Sequence, residues 1–121
     1  MIFAKAPVRV SCFNSKEYTP VYVTGYHFWH NNIALAVHKA VVWSDSDNSW
    51  GILKSRWTVT EITSGSKVQH YFMPSRRKAV VAAIERLETK TKEEIDDAIQ
   101  RSLERISKVD KEKARVELCV K

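Results

Sequence analysis

Only two cysteines, three glycines and three prolines occur in these 121 residues, and each scarcity removes a class of protein. Two thiols set far apart, Cys12 and Cys119, make neither a disulfide framework nor a zinc site. Glycines dispersed at 25, 51 and 65 cannot build a glycine-rich phosphate loop. Nowhere do about eighteen apolar residues run together, so no membrane-spanning helix is expected. The first residues, Met1 to Pro7, lack the long apolar centre of a secretory signal. These absences predict one cytoplasmic domain over residues 1–121, with reduced, buried thiols. A Cys12–Cys119 bridge becomes geometrically possible only if their two segments prove to be adjacent strands.

Charge is abundant but unevenly placed. Lys and Arg outnumber Asp and Glu by four to three over residues 1–49 and by eight to three over 50–91. They balance at eight each over 92–121. The net charge of +6 therefore belongs to the middle third, which holds the strand-like Tyr71-Phe72-Met73 followed by Pro74-Ser75-Arg76-Arg77-Lys78. A helix start ordinarily prefers acids, and exposed cations there cost roughly 0.3 to 1 kcal/mol each. An anion supplied from outside resolves that mismatch; a solvated helix edge is the plainer alternative.

Residues 1–74 read as mainly β. Val8, Val10 and Cys12 alternate with Arg9, Ser11 and Phe13. A second run, Val21 to Trp29, reverses at Asn31-Asn32, a pair tolerant of positive φ and suited to a tight hairpin. The third run, Ile33 to Trp43, has the alanines of a helix, but its hairpin entry and β-branched end favour a strand. Ser44 to Ser49 is expected as a hairpin tip, since its alternating acids lack the glycine and distal Glu of a calcium loop. Strands Ile52 to Ile62 and Lys67 to Met73 are expected to join through a two-residue turn at Ser64-Gly65. That register would oppose Trp57 with Phe72, Val59 with His70 and Glu61 with Val68. It would leave Lys54, Arg56, Thr58, Thr60, Gln69 and Tyr71 on a polar face.

Residues 75–110 read as a helical hairpin. Ser75 caps a first helix whose stripe holds Val80, Ile84 and Leu87 with Val81 and Ala83. Thr91 and Glu94 form a capping box for a second, whose seam runs through Ile95, Ala98, Ile99, Ser102, Leu103, Ile106 and Val109. Residues 113–121 alternate and predict a C-terminal strand. The expected fold class is therefore α+β: an antiparallel sheet of about five strands, an antiparallel helical pair, and a last strand.

No catalytic motif stands out. His27, His30, His38 and His70 lack companions at metal-ligand spacing. Glu93-Glu94 and Asp96-Asp97 complement a helix dipole rather than act as an acid/base pair. The chemistry-bearing set is cationic and aromatic. Arg56, Lys54, Arg76, Arg77 and Lys78 would hold phosphate, while Tyr71 or Trp50 would cover a base. A compact nucleotide pocket fits better than long nucleic acid, because the helices carry neither a basic stripe nor a recognition-helix pattern. The long seam of the second helix suggests a homo-oligomer formed through the helical pair, with the pocket shared between subunits.

With its leading antiparallel sheet, the run Trp57-Thr58-Val59-Thr60-Glu61-Ile62-Thr63-Ser64-Gly65, and Ser75-Arg76-Arg77 opening a helical pair, the chain resembles small phage-encoded proteins. In layout over residues 20–110 it is similar to the Thoeris anti-defence proteins, which sequester cyclic ADP-ribose signals between subunits without cleaving them. That resemblance implies a viral, oligomeric, non-enzymatic nucleotide sponge in a host cytoplasm, with no cofactor and no metal; it transfers no site residue. The alternative expectation is an inhibitor that binds a protein or nucleic acid of a host defence complex, as anti-CRISPR proteins do.

Overall fold

The structure, a computed structural model, describes residues 2–14, 17–69 and 71–120, apart from the side chains of 109–120. Five strands precede two helices: β1 (Ala4–Asn14), β2 (Glu17–His30), β3 (Ile33–Ser44), β4 (Ser49–Glu61), β5 (Ser66–Lys67), α1 (Arg76–Glu88) and α2 (Lys92–Val120). The strands form one antiparallel sheet in sequence order. No described helix is long and apolar enough to cross a membrane.

The expected hairpin at Asn31-Asn32 forms, with φ of 48° and 64°, and it pairs Phe28 with Leu35 and Tyr26 with Val37. Those residues begin the first core. Phe28, Leu35, Val37 and Val59 pack against Ala79, Val80 and Ala83 of α1. Burying a side chain such as Phe28, only 1% exposed, stabilises by roughly 1.5 to 3 kcal/mol. Ser75 caps α1 as expected, its Oγ accepting from Lys78 N at 3.2 Å. Val81, placed by its sequence position on the apolar stripe, instead stands 48% exposed, about 100° round the helix from Val80.

Val8, Val10 and Cys12 do share a face, and with Val23 and Ala36 they build a second core on the other side of the sheet. It exists because the sheet curls. Ser11 N donates to Gly65 O at 2.8 Å, Ser11 Oγ to Ser64 O at 2.6 Å, and Arg9 to Thr63 O at 3.1 Å. These bonds fasten β1 to the β4–β5 turn. Closure corrects the expectation of a polar face: Thr58, Thr60 and Gln69 are buried, and only Lys54, Arg56 and Tyr71 of that set are exposed.

The β4–β5 register also differs from the expected one. Glu61 pairs with Ser66 and Thr60 with Lys67, so the turn spans four residues, 62–65, rather than two. Its cause is the Glu61 carboxylate, which accepts from Thr63 N, Ser64 N and Ser64 Oγ at 2.7, 2.8 and 2.8 Å. Gly65 completes the turn at φ +69°. β5 ends after two residues, Val68 N still donates to Val59 O at 2.9 Å, and among the described residues the chain then rejoins β4 at an isolated bridge between Trp57 and Met73. The expected partner of Val59, His70, lies outside the described residues.

Burial holds His38 neutral, with its pKa below the ordinary 6.5. Its Nδ1 donates to Lys39 O at 2.8 Å and its Nε2 accepts from Thr60 Oγ1 at 2.6 Å, which leaves no room for a second ring proton. As pH falls through 6.5 the unfolded chain takes up a proton that the folded chain refuses, so stability is full above that pH and declines below it. Urea unfolding at pH 8 and pH 5.5, alongside an NMR titration of the ring, tests this. A His38 that titrates at or above its ordinary pKa would contradict it.

Thr91 and Glu94 form the expected capping box, with reciprocal bonds of 3.1 Å. The expected strand over 113–121 is corrected: residues 113–120 continue α2, a 29-residue helix. Alternation of apolar and polar residues there gave way to an uninterrupted helical stretch without glycine or proline. The side chain of Cys119 lies outside the described residues, whereas Cys12 is buried and its thiol is pushed up to about 11 by desolvation, partly offset by Lys67.

Candidate functional site

Of the sequence-predicted residues, Trp50 alone lines any of the three main hollows formed by the described residues. Lys54, Arg56, Arg77 and Lys78 are exposed, and Tyr71 is 80% exposed. Trp50 stacks edge-on against Trp43, ring centroids 5.4 Å apart. It lines an open hollow at the β1–β2 and β3–β4 hairpin tips, away from the cations. Arg76 lies over the Tyr26 ring at 4.4 Å and the Trp57 ring at 5.7 Å, which fixes it on the α1 side of the sheet. Strand alternation turns Arg56 to the face opposite its neighbour Trp57. The chain does bring their backbones near one another, since the Trp57–Met73 bridge, with N···O distances of 2.7 and 2.8 Å, sets Arg56 beside Pro74. None of these five cations forms an ion pair among the described residues. The result is a basic rim rather than a pocket.

A hollow does lie where the sheet meets the helical pair, at the opposite end of α1 from that rim. It has a volume of about 390 Å³ and is walled by the β4–β5 turn, the last turn of α1 and the first turns of α2. Its apolar wall consists of Ile33, Val68, Leu87, Ile95 and Ile99. Ser64, Ser66 and Ser102 contribute hydroxyls, and Ser66 Oγ donates to Ser102 Oγ at 3.1 Å. This bond seats α2 against the sheet. A second hollow of about 390 Å³ opens beside it under the β2–β3 turn, and the two share Ile33, Leu87, Lys90 and Ile95.

The charges of the main hollow are unequal in their freedom. Its three acids are engaged within the fold: Glu61 in the turn, Glu94 in the capping box, and Asp97 with Arg101 at 3.1 Å. Hydrogen bonds from Thr91, the backbone first, hold the Glu94 carboxyl below its usual range. Lys67 sits over the Phe72 ring at 5.2 Å. Arg86 and Lys90 form no ion pair among the described residues, although Lys90 is near enough to Glu94 to help hold its carboxyl low. Sequence reasoning missed both. They sit where a helix dipole favours cations, which makes them look ordinary, and only the fold shows that they border a cavity.

Among the described residues no group of three His, Cys, Asp or Glu side chains comes together to hold a metal. No protein-family model, curated protein or solved structure matches the chain.

Proposed function

We propose that this protein binds a small phosphate-bearing ligand in the hollow between the β4–β5 turn and the helical pair, and that it does so without chemistry. The observation that carries this reading is the pairing of a ligand-sized cavity with Arg86 and Lys90, two cations that form no ion pair among the described residues. Phosphate would meet Arg86 and Lys90, Arg86 with a bidentate fork and Lys90 as a point charge. The rest of the ligand would lie on Leu87, Ile95 and Ile99. Among the described residues no aromatic ring lines this hollow, so a nucleobase would be held by aliphatic contact rather than by the stacking expected of Tyr71 or Trp50. The carboxylates at the site are tied down by hydrogen bonds or an ion pair, which suits capture better than acid/base turnover. Sequestration of a signalling nucleotide, the role that the phage resemblance implies, is the biological form this reading would take.

A second reading is supported by the basic rim. Arg77, Lys78 and Arg56, exposed and without an ion pair among the described residues, suit a nucleic acid or an acidic protein surface.

Calorimetric titration with pyrophosphate, ADP-ribose and a cyclic dinucleotide separates the two. Charge reversal in Arg86→Glu/Lys90→Glu is expected to weaken binding at least tenfold, about 1.4 kcal/mol or more, while Arg76→Ala/Arg77→Ala leaves it unchanged. The reverse pattern would move the site to the rim. Affinity for oligonucleotides that falls steeply with salt would point to the second reading.

A further inference from the structure

We infer that the outer edge of β4 pairs with β4 of a second copy, joining two sheets across a two-fold axis at Gly51. β4 has β3 on one side, and on the other, among the described residues, it meets Ser66, Lys67, Val68 and the Met73 bridge, all from Trp57 onward. The edge of Ser49–Arg56 is therefore open among the described residues, and unpaired backbone N–H and C=O groups are a template for another strand. Two large apolar side chains stand exposed on it, Ile52 at 52% and Leu53 at 38%.

Charge chooses the occupant and the register. Residues 49–53, Ser-Trp-Gly-Ile-Leu, carry no charge, so two copies can run antiparallel along this stretch without repulsion. Centred on Gly51, Trp50 faces Ile52 of the partner subunit and Ser49 faces Leu53 of the partner subunit. Continuing outward, Lys54 and Arg56 come beside the 45–48 turn of the other copy, which carries Asp45 and Asp47. Among the described residues neither aspartate is in an ion pair; Asp45 accepts from Trp43 Nε1 and Asp47 from Ser44 Oγ. Shifting the axis onto Lys54, or onto Ser55, which would oppose Lys54 and Arg56, would instead set cation against cation. The three residues Lys54–Arg56 bulge out of the β3 ladder, between the pairs Ala40–Leu53 and Lys39–Trp57. That bulge ends the pairing and limits it to one short, self-complementary segment.

Gly51 is a second pointer. Its φ is not positive, and a Cβ there would meet nothing within 4 Å, so the single chain gives no reason for a glycine in a strand. At a two-fold axis, any side chain at 51 would meet its own copy. This interface lies on the sheet edge rather than on α2, where Ser102 bonds to Ser66 and Arg105 lies over the Phe13 ring at 3.8 Å within the subunit.

Sedimentation equilibrium on the full chain tests the pairing. Wild type is expected to show twice the 14.0 kDa chain mass at micromolar concentration, and Ile52→Lys, on an exposed site that leaves the circular dichroism unchanged, weakens association at least tenfold. Lys54→Glu/Arg56→Glu is expected to dissociate the pair, and adding Asp45→Lys/Asp47→Lys to it restores association. A single-chain mass at every concentration would overturn the inference. So would an Ile52→Lys dimer as tight as wild type, or a fourfold variant that stays dissociated.

Discussion

Replacing Gly65 by alanine is expected to lower the unfolding free energy by about 3 kcal/mol, through two separable terms. At φ +69° an L-residue with a Cβ pays roughly 1 to 2 kcal/mol for the left-handed conformation. The new Cβ would also stand 2.5 Å from Ser11 Oγ, 2.8 Å from Arg9 O and 2.9 Å from Ser11 N. Backbone atoms cannot rotate away, so β1 must retreat. Its retreat breaks the bond from Ser11 N to Gly65 O and the bond from Ser11 Oγ to Ser64 O, each worth about 1 kcal/mol net. Ser11→Ala, which removes only the hydroxyl, should lose about a third as much. Urea denaturation measures both, with an unchanged slope if the fold is kept. A Gly65→Ala loss below about 1 kcal/mol would mean that β1 is not fastened to the turn in the way described.

Glu61→Ala is expected to have an effect of similar size for a different reason. Glu61 is only 7% exposed, and its carboxylate is the shared acceptor for two backbone N–H groups and one hydroxyl. Hydrogen bonds to a charged group contribute about 1.5 to 3 kcal/mol, and orphaned buried donors add a penalty of about 1 to 3 kcal/mol. Alanine also removes a wall of the hollow, next to Ser64, Ser66 and Lys67. The account therefore predicts a loss of about 3 kcal/mol in stability and a parallel loss of ligand affinity. Glu61→Gln keeps the side-chain length and one good acceptor, and should recover about half of the stability. Equal losses for Ala and Gln would show that charge, rather than the geometry of acceptance, holds the turn.

That carboxylate also explains where sequence reading stopped. Alternation made β1 to β4 legible, because Val8, Val10 and Cys12, or Phe28 against Leu35, bury one face each and any slip would expose them. Local capping chemistry made the helix starts legible at Ser75 and at Thr91 with Glu94. The four-residue turn was not legible, since nothing in the pattern of 62–65 reveals that Glu61 folds back onto its own turn. Neither was the closure of β1 onto Gly65, a contact between residues 54 apart in sequence. Without that closure Thr58, Thr60 and Gln69 read as a solvated face. The last segment misled in another way: alternation over 113–121 is a strand signal only if a sheet edge receives it, and α2 instead continues without a break.

The site was legible only in outline. A basic surplus at the junction of sheet and helices pointed to an anion, and it drew attention to the dense Arg76-Arg77-Lys78 at the start of α1. The cavity lies at the other end of that helix, where Arg86 in its last turn and Lys90 two residues beyond its end are unremarkable in the sequence. What separates the two ends is concavity, which depends on how α2 folds back over the β4–β5 turn.

Small-molecule mass spectrometry on protein purified from expressing cells and then denatured reads what the hollow holds. Wild type should release an intact phosphate-bearing compound, and Arg86→Glu/Lys90→Glu, purified in the same way, should release little or none. Equal release from both proteins, or recovery of the compound only in a chemically altered form, would contradict capture of an intact ligand in the hollow.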